Sequence, residues 1–186
     1  MASVVEICSN ALHLLGDDSI SSLTEDNDRA RLCNAFYAQA RDSTLRAHPW
    51  NCATVYQEFA QLATAPPHTW TYAYQLPTSP YCLRALQEED PVVKFQVVGR
   101  KLYTDEDPFN AIYISRITDP AQFDASLYMA LSARMAWQMA YPLTKSRTVA
   151  ADMRDNYKDQ LQLARGDDGQ EGTPTRLQAN ILAEPR

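Results

Sequence analysis

Residues 41–54 read RDSTLRAHPWNCAT, with an arginine, an aspartate, a histidine and a tryptophan in one short stretch. For catalysis, His48 would need an orienting acid and a nucleophile within hydrogen-bond reach. The only local acid, Asp42, lies almost two helical turns back on a different face. The pattern fits a helix C-terminus better. Pro49 ends the helix, because the residue before a proline avoids the α region. Arg46 and His48 sit at the negative end of the helix dipole, where cations are favoured. Asp42 and Arg46 have the spacing of an i, i+4 pair. His48, Pro49 and Trp50 therefore read as a structural junction, with Trp50 turning the chain toward the core.

The remaining candidates for chemistry are scattered. His13 and His68 are the other histidines, and neither has a companion at metal-ligand spacing. Cys8, Cys33, Cys52 and Cys82 are widely separated and form no C-x-x-C, so they read as reduced thiols and no zinc site is expected. Glu88-Glu89-Asp90 and Asp105-Glu106-Asp107 each precede a proline. Paired carboxylates hydrolyse glycosides when roughly 5–10 Å apart with one in an apolar site. These read instead as solvated turns. Phosphate-binding loops, dinucleotide fingerprints, zincin helices and nucleophile elbows are all missing from the sequence. DDGQEG, near the end, lacks the alternating acids of a calcium loop. No catalytic residue, cofactor or metal is expected.

The elements that hold these residues follow from periodicity. A helix over about 3–15 is predicted by Val4, Cys8, Ala11 and Leu15, with Gly16 behind it. A second, over about 25–47, carries Ala30, Cys33, Phe36, Tyr37 and Ala40 on one stripe. Ser22, Asp26 or Asn27 can cap it. Residues 51–117 change character and read as a β insertion. VKFQVVGRKLYT predicts a hairpin turning at 98–101, and WTYAYQLP, PYCLRALQEED and NAIYISRIT read as further strands. VYQEFAQLA fits strand or helix. Asp119-Pro120 opens a third helix, over about 119–141, apolar on most sides and so central, with Pro142 breaking it. A fourth, over about 146–165, carries Val149, Met153, Tyr157, Leu161 and Ala164 on its stripe, and Gly166 stops it. The fold class is thus α+β, mainly α: an antiparallel helical bundle with a small antiparallel sheet inserted, forming one domain over 1–165. Residues 166–186 read as a tail outside the core, either an extended C-terminal arm with Leu177, Ile181 and Leu182 as its apolar anchors or a plain disordered terminus.

Composition narrows the function classes. The 186 residues carry a net charge of −6, so general nucleic-acid binding gains nothing from phosphate neutralisation. An acidic wall can still line a passage for DNA, since repulsion prevents sticking. No basic n-region opens MASVVEICSN, so no secretory signal is expected. The most apolar stretch, 127–143, is interrupted by Ser132, Arg134 and Gln138, and no membrane span is expected.

Two stretches carry a family resemblance: ICSNALHLLGDDSISSLTEDNDRARLCNAFYAQARDSTLRAHPWNCAT (7–54) and WTYAYQLPTSPYCLRAL (70–86). The order is an apolar helix ending in Leu-Gly, an Ile-x-x-Leu loop and an Arg-Leu-Cys helix. Arg-x-His-Pro-Trp-Asn, Tyr-Ala-Tyr-Gln-Leu-Pro and Cys-Leu-Arg follow. In this order the chain resembles the head-to-tail adaptor proteins of short-tailed bacteriophages, also called tail tubular protein A or portal adaptors. The resemblance implies a structural protein of the virion neck, not an enzyme. It implies a homo-oligomeric ring of twelve subunits beneath the portal protein, continuing the DNA channel without sequence-specific binding and receiving the tail nozzle protein. It also implies that a C-terminal arm embraces the portal. Residues 166–186 suit that arm by position and composition, with Thr173, Pro174, Leu177, Ile181 and Leu182 as its contact candidates. The competing expectations are a virion-associated cell-wall or polysaccharide hydrolase, using Glu58 with one of Glu88, Glu89 or Asp90, and a helical interaction module of a cellular protein.

Overall fold

The computed structural model describes residues 3–64, 66, 69–86 and 93–171. Helix α1 spans Val4–Leu14. Ser3 and Glu6 form a reciprocal capping box at its start, which satisfies two backbone donors that have no partner inside the helix. Gly16 follows at φ 72, a left-handed turn that glycine adopts without a Cβ clash. Helix α2 spans Asp28–Ala47 and is capped by Asn27. It begins three residues later than the predicted 25, because Glu25 serves the loop instead. Its carboxylate accepts hydrogen bonds from the Ser21 and Ser22 backbone N–H groups and from the Asn27 side chain.

Helix α3 spans Ala125–Thr144. Asp119 does cap a turn with proline at its first position, but that turn is a short 3-10 segment, Pro120–Gln122. Asp124 then caps α3 itself. Pro142 does not break the helix at 141. It removes one ladder bond, the one an N–H at 142 would make to the Gln138 carbonyl, and two more residues follow before Lys145 closes the end at φ 56. Nine α3 residues are buried, which makes α3 the central helix as its apolar girth predicts. It packs against α1, α2 and helix α4, Arg147–Gln170, which folds back after a two-residue connection.

Helix α4 runs five residues past its predicted end at 165. Gly166 and Gly169 lie inside it with nothing within 4 Å of an added Cβ. Glycine in a helix interior costs about 1 kcal/mol against alanine, and contacts made by Asp168, described below, offset that cost. No helix among the described residues is long and apolar enough to cross a membrane.

The β insertion forms two antiparallel sheets, where the sequence predicts one. Strands β1 (Thr54–Glu58), β7 (Asn110–Ser115) and β4 (Cys82–Leu86) make the first, in the order β1-β7-β4. Strands β2 (Ala60–Gln61), β3 (Tyr72–Gln75), β6 (Lys101–Thr104) and β5 (Phe95–Val98) make the second, in the order β2-β3-β6-β5. VYQEFAQLA is therefore strand on both sides of Phe59, whose N–H donates to the Phe109 carbonyl as the chain crosses between sheets. The predicted hairpin is present, with Val98 opposite Lys101 and Gly99 at φ 61 in the turn.

Strand β7 is the centre of the first sheet, and both of its faces are covered. Tyr113 points into an aromatic cluster with Phe59, Tyr74 and Phe109. Ile114, its neighbour, points into a second cluster with Leu45, Trp50 and Leu127. Simple alternation of buried and exposed residues is lost for that reason. A third cluster joins α1, α2 and α3 through Ile7, Leu12, Leu131 and Met135.

Candidate functional site

The junction after α2 is built from its last turn outward. A helix leaves its final four carbonyls without intrahelical partners. Three of those here are met by side chains. The Thr44 carbonyl accepts from Trp50 Nε1 at 3.0 Å, that of Arg46 from Arg84 at 3.1 Å, and that of Ala47 from Arg165 at 2.7 Å. His48 is extended at φ −148, as the following proline requires. Trp50 is fully buried, with the His48 ring edge-on to it at 4.8 Å between centroids.

Asp168 completes the arrangement from α4. One carboxylate oxygen lies 3.0 Å from His48 Nε2, and the other accepts the Asn51 N–H at 2.9 Å. Its backbone carbonyl accepts from the Asn51 side chain at 2.7 Å. Asp168 is only 6 % exposed, so its carboxylate is met by His48 and Asn51 rather than by bulk water, and an unmet acceptor there is costly. His48 thus has the orienting acid that the sequence could not supply locally. The sequence reading misses it by placing Asp168 in the arm. A signal was present: Tyr157, Leu161, Ala164 and Asp168 continue one stripe at helical spacing.

The predicted Asp42–Arg46 pair does not form. Asp42 binds Arg41 at 2.8 Å and Arg116 at 2.7 Å, while Arg46 donates to the Leu83 carbonyl.

A histidine with an acid still needs a nucleophile to do covalent chemistry. Cys52 is the nearest thiol in sequence. Desolvation, followed by repulsion from Asp124, pushes its pKa up to about 11. A thiol that stays protonated at neutral pH is a poor nucleophile. Burial likewise raises Cys82, and Cys8 is raised by its hydrogen bond with Cys33 and by burial. Cys8, Cys33 and Cys82 are buried free thiols in the core.

The carboxylates are dispersed. Glu58 is exposed on β1. Asp105 accepts the Thr71 N–H and hydroxyl, both at 2.9 Å, and Asp107 accepts the Tyr74 hydroxyl at 3.0 Å. Tyr74 is pushed up to about 12, chiefly by burial and then by Asp107. Asp17, Glu25 and Asp155 are lowered by their hydrogen-bond donors, Arg29, Ser21 and Lys158 respectively. A glycosidase acid needs the opposite displacement. Among the described residues no three His, Cys, Asp or Glu side chains are grouped to hold a metal ion.

His13 is exposed in the last turn of α1. His68, Glu88, Glu89 and Asp90 lie outside the described residues, as do the arm candidates Thr173, Pro174, Leu177, Ile181 and Leu182. What the structure does assemble is a clasp. His48, Trp50 and Asn51 on one side, with Arg165 and Asp168 on the other, fasten the end of α4 to the point where α2 gives way to the first sheet. Neither a protein-family model nor a curated protein matches the chain.

Proposed function

We propose that this chain is a structural adaptor of a short-tailed phage virion, a ring subunit that joins the portal to the tail and continues the DNA channel. The observation that supports it is the clasp. Arg165 and Asp168 pin the last turns of α4, so the end of that helix is a fixed root for whatever follows it. Fully extended, residues 172–186 reach about 50 Å, enough to lie along a neighbouring subunit or a portal. A fixed root raises the effective concentration of the arm at its target. Around a ring, many modest arm contacts act together. The sequence pattern of 7–54 and 70–86 points the same way.

The test is to mix the purified chain with the portal ring of the same phage, then image and weigh the product. The expected product is a stoichiometric ring stacked on the portal, lost when 172–186 are deleted. The deletion must begin at 172, because removing 166–171 as well would take out Asp168 and confuse loss of the arm with loss of the clasp. Failure to associate, with circular dichroism showing an intact fold, overturns the adaptor reading. Clearing of a peptidoglycan or polysaccharide substrate, abolished by Glu58→Gln, would establish the hydrolase instead.

A further inference from the structure

Between strands β4 and β5, each an edge of its sheet, lies a cleft of about 490 Å³. Four arginines line it: Arg46, Arg84, Arg100 and Arg116. Asp42 is the one acid in the lining, and Arg116 already pairs with it. Among the described residues no carboxylate lies within ion-pair distance of Arg46, Arg84 or Arg100. These cations are held rigidly by neutral acceptors. Arg100 donates to the Cys82 and Pro77 carbonyls at 2.7 and 2.6 Å, and Arg84 to the Arg46 carbonyl. Arg100 and Arg116 both stand 4.1 Å from the Tyr81 ring centroid. The buried Nε of Arg116 has no hydrogen-bond partner. In a chain of net charge −6, so much fixed positive charge in one cleft calls for an anion.

The opposite end of the same sheet supplies the complement. Strand β6 leads from Arg100 at one turn to Asp105-Glu106-Asp107 at the other, roughly 16 Å away along the strand. All three acids are exposed. Asp105 and Asp107 meet only neutral donors, and no cation among the described residues pairs with any of the three. One end of the sheet is therefore basic and lines a cleft, the other acidic and exposed. Two such different, complementary patches on one subunit make a head-to-tail contact, which closes into a ring when the rotation allows.

We infer that the arginine cleft receives the Asp105-Glu106-Asp107 turn of a second copy of this chain, and that this contact joins neighbours in the ring. The inference rests on the ring reading above. A nucleic-acid phosphate is the weaker occupant. Tyr81 already has two guanidinium groups against its ring and offers no free stacking platform for a base, and the net charge repels a polyanion.

Arg84 and Glu106 are the probes, since both are exposed; the one hydrogen bond of Arg84 among the described residues, to the Arg46 carbonyl, is itself at the surface. Self-association of the full chain on the portal ring is measured by sedimentation and native mass for wild type, Arg84→Glu, Glu106→Arg and the double variant. Circular dichroism confirms that each is folded. Each single reversal should weaken association roughly tenfold, and the double variant should recover to within about threefold of wild type, because directly coupled charges are strongly non-additive. Wild-type rings with unaffected single variants, or a double variant no better than the two losses combined, overturn the cleft contact and leave the ring reading standing. A wild type that never self-associates overturns both. An Arg84→Glu variant that loses DNA binding while assembling normally also overturns the contact and assigns the cleft to phosphate.

Discussion

Removing the Asp168 carboxylate would leave the Asn51 N–H and the part-buried His48 ring without their protein acceptor. Asp168→Ala should therefore destabilise the fold by about 2–3 kcal/mol, the cost of unmet buried polar groups. Urea unfolding measures it, and a variant as stable as wild type would mean that the clasp holds nothing. Glu25 gives a second prediction, in pH. Hydrogen bonds from Ser21 and then Asn27 lower its pKa from 4.5 to about 2. A carboxyl depressed in the folded state contributes stability above its unfolded pKa and loses it as pH falls through the folded value. Thermal midpoints should thus fall between about pH 5 and pH 2, and Glu25→Gln should flatten that part of the profile. At this scale the sequence is legible where partners are near. The Ser3 and Asn27 caps can be read from short spacings. The Asp168–His48 contact cannot, because a separation of 120 residues leaves no local trace except a stripe that runs on past a glycine.

Gly166 shows why helix ends mislead. Its lack of a side chain and its high backbone entropy argue for a stop, and that argument is local. The clasp is not, and it carries α4 on to Gln170. Because Gly166 is helical with open space around it, Gly166→Ala should stabilise the protein by about 0.5–1 kcal/mol. Were the helix to end at 165, the same change would bring no gain, so a thermal melt decides. Pro142 teaches a similar lesson: it removes one ladder bond without ending α3, which runs on to Thr144. The β5–β6 hairpin was plain in the sequence because alternation and a glycine turn coincide in one short segment. VYQEFAQLA stayed ambiguous because Phe59 falls between two strands of different sheets and interrupts the period.

Across the whole molecule, two of the three apolar clusters meet along β7, and the division of the β insertion into two sheets follows from that strand having two buried faces. Sequence patterns report one face at a time, so one sheet was expected where there are two. The four-stranded sheet should be the less protected part. Amide hydrogen exchange is expected to label the exposed β5 strand well before α3, whose nine buried residues place it in the most stable unit. Equal protection in both would show a single cooperative unit. The clasp also decides how the molecule bears tension. A pull on the chain leaving Gln170 would peel a glycine-containing helical turn one bond at a time. With Asp168 gripping Asn51, the load bypasses that turn and enters β1, whose five residue pairs with β7 share it along the strand. Under the adaptor reading proposed above, Asp168 would be a strain-relief knot at the base of the arm, and Asp168→Ala is the change that unties it.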